Sequence, residues 1–280
     1  MERELPTINI EGTDFIVDVT KLELREKSDQ KNIIPFEDMR DVGDGYTFEY
    51  SLKDKNLASL FDRESRTVKI SEFVILDPIG MANKYNHPLD GIKYKSDFDL
   101  MVNQQAYDLR VNKGVLPTVD IDGHTFYVDI RMDMLRPKDD FLSKGIVFNE
   151  IDHYFSEEKN TYLIPYDPKK HEFRELDYDN LVNVPKDLIA VEFPFQKELD
   201  PIGWNRNGGW DLKEDLKHIG LKSHFQAKTV PWKETFVHHI IKDNLEKIKQ
   251  KSVKEKEPQK NKDEKANMKT DPKKGKGRKM

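Results

Sequence analysis

The sequence predicts an α+β protein made of two tandem copies of one β-rich module, and three observations predict it. The chain repeats itself, each copy opens with alternating apolar and polar residues around a tight turn, and helical periodicity follows the strands. The repeat is clearest where residues 5–25, LPTINIEGTDFIVDVTKLELR, meet residues 116–136, LPTVDIDGHTFYVDIRMDMLR. At a constant offset of 111, ten of these 21 positions are identical, among them Gly12/Gly123, Phe15/Phe126, Val17/Val128, Asp18/Asp129 and Arg25/Arg136. Matching average composition alone gives roughly one or two. The match continues through Ile34-Pro35-Phe36 with Ile146-Val147-Phe148 and Tyr46–Tyr50 with Tyr162–Tyr166, to LDPIG at 76–80 and again at 199–203. Two copies are too few for a solenoid, so a pseudo-twofold pair is expected. The predicted boundaries are 4–100 for the first repeat, 101–114 for a connecting helix end, 115–225 for the second repeat, 226–250 for a strand end and C-terminal helix, and 251–280 for a disordered Lys-rich tail.

Each element has a local reason. Asp122-Gly123, and Glu11-Gly12 in the first copy, sit between alternating runs and read as two-residue hairpin turns. Such a turn pairs Ile121 with His124, Asp120 with Thr125 and Val119 with Phe126, and turns Val119, Ile121, Phe126 and Val128 toward a core. Further strands are expected at Tyr46–Leu52, at Lys69–Leu76 with its copy around Leu188–Phe193, and at His224–Val230. Asp77 before Pro78 has the form of an N-cap opening a short helix, whereas the second copy reads PIGWNRNGGW, whose asparagines and glycines favour a loop. Asp97–Val111 reads as one helix, Asp211–Ile219 as another with Asp211 and Glu214 as a cap pair. Pro231–Gln250 reads as a last helix whose stripe from Trp232 to Ile248 packs on its parent domain.

Composition narrows the chemistry. The 280 residues are 36% hydrophobic, with 15 Phe, 10 Tyr and 3 Trp, enough for real cores. The charged fraction of 35% exceeds the roughly 25% of an average domain. No apolar run approaches the roughly 20 residues of a membrane helix, and the N-terminus lacks the apolar core of a secretory signal, so a cytoplasmic location without membrane contact is expected. There is no cysteine, which excludes disulfides, thiolate metal sites and thiol nucleophiles. Residues 246–280 carry 13 lysines and Arg278 against six acidic residues, a net +8, and the total of −5 therefore leaves −13 on residues 1–245. The tail has almost no large apolar side chains and is expected to be disordered. It is a possible contact for nucleic acid, although it has no aromatic residue to stack on bases.

Few constellations suggest catalysis. Asp120, Asp122 and His124 could hold a divalent ion, but strand alternation sends His124 to the face opposite the two acids, and a solvated turn is the better reading. Asp18/Asp129 with Arg25/Arg136 reads as an ion pair anchoring the segment after the hairpin. His238 and His239 project about 100° apart on a helix and do not form a zinc pair; a surface ion pair of His239 with Asp243 is expected. Phosphate-binding, nucleophile-elbow and kinase motifs are absent from the sequence, and no catalytic residue, cofactor or metal ligand is assigned. The segment 204–210, WNRNGGW, stands out for recognition: Trp204, Arg206 and Trp210 are residue types enriched at binding hot spots, placed where the copies diverge.

LPTVDIDGHTFYVDIRMDMLRPKDDF, LDPIGWNRNGGW and ILDPIGMANKY resemble an uncharacterised family encoded on bacterial conjugative and other mobile elements, over residues 4 to about 248. The resemblance implies a cytoplasmic accessory protein and transfers no site. A non-enzymatic binding protein contacting a host or mobile-element protein is thus the leading expectation. The alternatives are an acidic nucleic-acid mimic directed against host defence and a metal-dependent hydrolase using Asp120, Asp122 or Asp129.

Overall fold

The computed structural model describes residues 3–59 and 62–255, and it is α+β. In the first repeat β1 (Thr7–Ile10), β2 (Thr13–Asp18), β3 (Glu23–Glu26) and β4 (Ile33–Pro35) form an antiparallel sheet in chain order. A second sheet has β5 (Arg40–Asp41), β6 (Gly45–Ser51), β7 (Asn56–Leu57) and β8 (Ser65–Ser71), with β6 pairing the other three. Short helices α1 (Phe73–Leu76), α2 (Pro78–Lys84), α3 (Leu89–Ile92), α4 (Asp97–Met101) and α5 (Gln104–Val111) follow.

The second repeat rebuilds this plan. β9 (Thr118–Ile121), β10 (His124–Asp129), β11 (Met134–Pro137) and β12 (Ile146–Val147) match the first sheet, and β13 (Phe155–Ser156), β14 (Thr161–Asp167), β15 (Glu172–Phe173) and β16 (Ile189–Pro194) match the second. Then come α6 (Gln196–Leu199), α7 (Pro201–Gly208), α8 (Leu216–Ile219), β17 (His224–Gln226), β18 (Lys228–Val230) and α9 (Val237–Glu255). The hairpin register is the one the Asp-Gly turn dictates, with His124 opposite Ile121 and Phe126 opposite Val119. Both central residues of that turn have positive φ, 51° at Asp122 and 84° at Gly123, as a primed turn requires; Glu11 and Gly12 repeat it at 48° and 87°. Even Leu22 and Asp133, in equivalent positions, share φ 57°.

Each repeat has its own core, around Phe15, Leu24, Tyr46 and Phe73 in one and around Phe126, Leu135, Tyr162 and Phe193 in the other. A third cluster joins them, packing Phe98, Val102 and Ala106 of the first repeat's helical end against Ile202, Leu216 and Leu221. Its polar neighbour is the Lys217 ammonium, buried among Asp41 Oδ1, the Gly43 carbonyl and Glu72 Oε1, each at 3.0 Å. Beside it the His218 ring stacks on Phe36 at 4.3 Å. The repeats are therefore locked by an apolar cluster, by the Lys217 ion cluster with its neighbouring His218–Phe36 stack, and by the Arg110–Asp200 pair.

Several elements differ from the sequence expectation. The strand expected to reach Leu76 stops at Ser71, because the buried Asp97 carboxylate accepts the Phe73 and Val74 amides at 2.7 and 2.8 Å and starts a helical turn there. The helix expected over 97–111 breaks in two: Val102 is extended, and the Asn103 side chain caps α5 by accepting from the Ala106 amide. Asp211–Ile219 is helical only over α8, although Asp211 does accept from the Lys213 amide. The strand expected over 224–230 is two strands in two sheets, β17 parallel to β9 and β18 antiparallel to β16. PIGWNRNGGW is not a loop but the helix α7, opened by Asp200, whose carboxylate accepts from the Gly203 amide, and closed by Gly209 at φ 72°. The last helix starts at Val237 rather than Pro231, after a separate turn at Trp232–Glu234; of the expected stripe Val237 is buried and Ile241 packs with it, while Phe236 just ahead of α9, Leu245 and Ile248 are 45%, 41% and 52% exposed. The helix continues to Glu255; the rest of the Lys-rich tail lies outside the described residues.

Candidate binding site on the second repeat

Both repeats use one device to seat the helix after the last strand. A carboxylate caps the helix and is gripped by an arginine from ahead of the repeat. In the first repeat Arg3 reaches Asp77 end-on, with Nη1 and Nη2 at 2.6 and 2.5 Å from the two oxygens. In the second repeat Arg110, delivered by α5, grips Asp200 side-on through Nε at 3.0 Å and Nη2 at 2.8 Å. Nη1 of Arg110 stays outside that fork. Gly80 and Gly203 are required at these crossings: a Cβ at either would lie 2.1 Å from the capping carboxylate. Behind them, Asp18 accepts from the Thr20 and Lys21 amides and pairs with Arg25 at 2.7 Å, and Asp129 accepts from the Met132 amide with Arg136 at 3.8 Å. The recurring Asp–Arg pairs therefore anchor the turn after the hairpin.

On this shared frame the surfaces differ. In the first repeat Lys84 of α2 donates to the Thr20 carbonyl at 2.7 Å and straps the helix to the turn after β2. The equivalents of Asn83, Lys84 and Thr20 are Arg206, Asn207 and Arg131. There is no strap, and a cavity of about 480 Å³ opens, lined by Arg110, Asp129, Arg131, Arg206 and Asn207 with Leu116 and two glycines. Among the described residues the Arg131 and Arg206 guanidiniums make no ion pair. Two uncommitted guanidiniums, a third partly committed and an amide make a fork-shaped donor set for a carboxylate or another oxyanion.

The three residues of WNRNGGW singled out by sequence do not converge. Arg206 lines the cavity, whereas Trp204, two positions earlier on α7 and so about 200° around it, packs on Phe195 at 5.5 Å. Trp210 folds back over Gly208, where a Cβ would meet its ring at 2.5 Å, and lies 6.3 Å from Trp204 while staying 53% exposed. The double glycine thus ends the helix and seats an exposed indole beside it. Arg110 and Arg131 escaped the sequence reading because it weighted positions identical in both copies. Thr20 against Arg131, within the aligned stretches 5–25 and 116–136, is the signal that marks Arg131; Arg110 lies ahead of the second stretch and has none.

The other sequence candidates are dispersed. Asp120 accepts from Thr125 Oγ1 at 2.6 Å, and the His124 ring lies tilted against that of His171, whose Nδ1 contacts Asp140 at 2.8 Å. His238 and His239 are exposed on α9, and His239 makes no ion pair with Asp243. Among the described residues no group of three or more His, Asp or Glu is placed to hold a metal ion, and no helix is long and apolar enough to cross a membrane.

Fold and site together define a duplicated α+β protein with an arginine-lined cavity opened in one copy. No family model, curated protein or solved structure matches the chain.

Proposed function

We propose that this is a non-enzymatic, cytoplasmic binding protein, an accessory factor of a mobile element as its sequence resemblance implies, which acts through protein–protein contacts at the end of α7. The observation that carries this reading is the exchange of the Lys84–Thr20 strap for the cavity of Arg131 and Arg206. A duplicated frame that keeps its anchoring residues while the outward-facing residues of α7 and of the turn after β10 change has the pattern of one copy retained for support and the other adapted for recognition. The partner inserts an acidic side chain or terminal carboxylate among the guanidiniums and covers Trp210, since arginine and tryptophan are the residue types that dominate binding energy when desolvated.

The test is capture of a partner from host lysate by the tagged full-length chain, with nuclease present, compared with Trp210→Ala and with Arg131→Thr/Arg206→Asn, which restores the first repeat's residues. A partner retained after nuclease and lost from both variants supports the reading. A partner retained by both variants, or lost on nuclease treatment alone, overturns it.

A further inference from the structure

The second repeat contains one feature the first lacks, the segment His224–Val230. β17 lies parallel to β9, with the Thr118 amide donating to the Ser223 carbonyl at 3.0 Å and the Ala227 amide donating to the Asp120 carbonyl at 2.9 Å. β18 then crosses to the other sheet, placing Val230, Thr229 and Lys228 opposite Ala190, Val191 and Glu192. Phe225 enters the second core between the two sheets.

The first repeat presents the same two edges with no strand on them among the described residues; the Arg66–Glu11 ion pair links β8 to the turn at the end of β1. By the constant offsets of 111 and 123, β1 is the counterpart of β9 and β8 of β16. Pro6 accepts from the Val17 amide as Pro117 accepts from Val128, so Thr7 and Asn9 turn their remaining backbone groups away from β2, as Thr118 and Asp120 do from β10. Between the edges lies a groove of about 390 Å³ lined by Ile8, Asn9, Thr67, Val68 and Lys69, the counterparts of residues that β17 and β18 cover. Its floor is apolar: Ile10 and Ile70 are buried, and Ile8 and Leu76 are partly buried against the first core.

We infer that this groove receives an extended segment of a protein partner, which adds a strand to β1 and to β8 as His224–Val230 does to β9 and β16. Open edges flanking an apolar slot are the setting of strand addition, in which main-chain hydrogen bonds give affinity and alternate side chains give specificity. The internal template specifies the segment. A bulky apolar residue takes the place of Phe225. Three positions on, where Lys228 faces Glu192, the occupant faces Lys69 instead and carries an acidic residue that competes with exposed Asp44, 2.8 Å from the Lys69 ammonium, for that charge. The chain's own residues 256–280 do not meet this description, being Lys-rich and without an aromatic residue. The site is separate from the arginine cavity and does not depend on it.

The probes are two synthetic peptides spanning residues 222–231, one native and one with Lys228→Glu, added to the full-length chain while backbone amide exchange is followed. The expected result is protection at Thr7–Asn9 and Thr67–Lys69, with the Glu peptide binding roughly two- to fivefold tighter, and inversion of that order in the exposed Lys69→Glu variant. Absence of protection on β1 and β8 with both peptides overturns the inference. Protection that grows with protein concentration and no peptide overturns it as well, assigning the groove to a second copy of the chain. Repeating the titration on Arg131→Thr/Arg206→Asn, which leaves peptide binding unchanged here, separates this result from the fate of the proposed function.

Discussion

The first repeat closes over its helix and leaves its sheet edges open; the second repeat covers its sheet edges and leaves its helix face open. Lys84 straps α2 in one copy, whereas Arg131 and Arg206 border a cavity against α7 in the other. β17 and β18 complete the second copy's sheets, whereas β1 and β8 end the first copy's. What both keep is the buried apparatus: the primed turns, the four buried tyrosines of the central strands and the arginine fork on a capping aspartate. The copies thus share the devices that anchor the turn after the hairpin and the helix after the last strand, and differ in what surrounds them, outward at Lys84 against Asn207 and also inward at Phe73 against Gln196.

The largest expected effect falls where the copies meet. Lys217→Met leaves the buried Glu72 and the half-buried Asp41 without their counter-ion, and breaking a buried ionic contact costs about 3–5 kcal/mol. Urea denaturation should show that loss; a change below about 1 kcal/mol would mean that the repeats are held together without the Lys217 ion cluster.

The fork offers a finer comparison between copies. The Arg110 side chain is 10% exposed and Asp200 is fully buried, whereas Arg3 is 33% exposed on Asp77. Arg110→Ala is therefore expected to cost about 3 kcal/mol and Arg3→Ala about 1 kcal/mol. Equal costs, measured in the same denaturant series, would contradict the view that burial separates the two forks.

A smaller effect should appear as pH dependence. Burial holds the His218 imidazole below its ordinary value, against the attraction of Asp215 and Asp41 and with the repulsion of Lys217 and Lys197. The folded chain keeps this ring neutral after the unfolded chain has begun to protonate. Its contribution is thus fully present above about pH 6.5 and is lost as pH falls through that value toward the folded pKa. Burial acts the opposite way on Asp97 and Glu72, raising both, so their contribution is fully present below the ordinary carboxylate range and fades as pH rises through their folded values. His218→Gln should flatten the decline in stability on the acid side of about pH 6.5, and an unchanged pH profile would remove His218 from the interface account.

Sequence and structure agree where a local rule was sufficient. Asp-Gly and Glu-Gly require positive φ at two positions, so turn, register and core face followed together. Asp77 before Pro78 gave the cap of α2 for the same reason. The break of the 97–111 helix is local, since Asn103 caps α5 from its own start, whereas two other misreadings have tertiary causes. Asp97 ends β8 and starts α1 from 24 residues away along the chain. α7 is held as a helix by Asp200, Arg110 and Gly209 despite asparagines and glycines that lower its intrinsic propensity, and one of those asparagines, Asn205, is buried and donates to the Glu214 carbonyl. The candidate site was half legible: Arg206 stands in a conspicuous motif, Arg131 differs from Thr20 at the matching position of the other copy, and Arg110 joins them only through the fold, which brings α5 to Asp200.

The central claim, that the second copy was adapted for recognition by opening its helix face, is tested most directly by exchanging the deciding residues between copies. Affinity for the captured partner should be measured by calorimetry for the wild-type chain and for Arg131→Thr/Arg206→Asn, with denaturation confirming that both are folded. The account predicts a loss of at least tenfold, or about 1.4 kcal/mol, at unchanged stability. Equal affinities would show that the partner never enters the cavity and that the divergence of α7 serves something else.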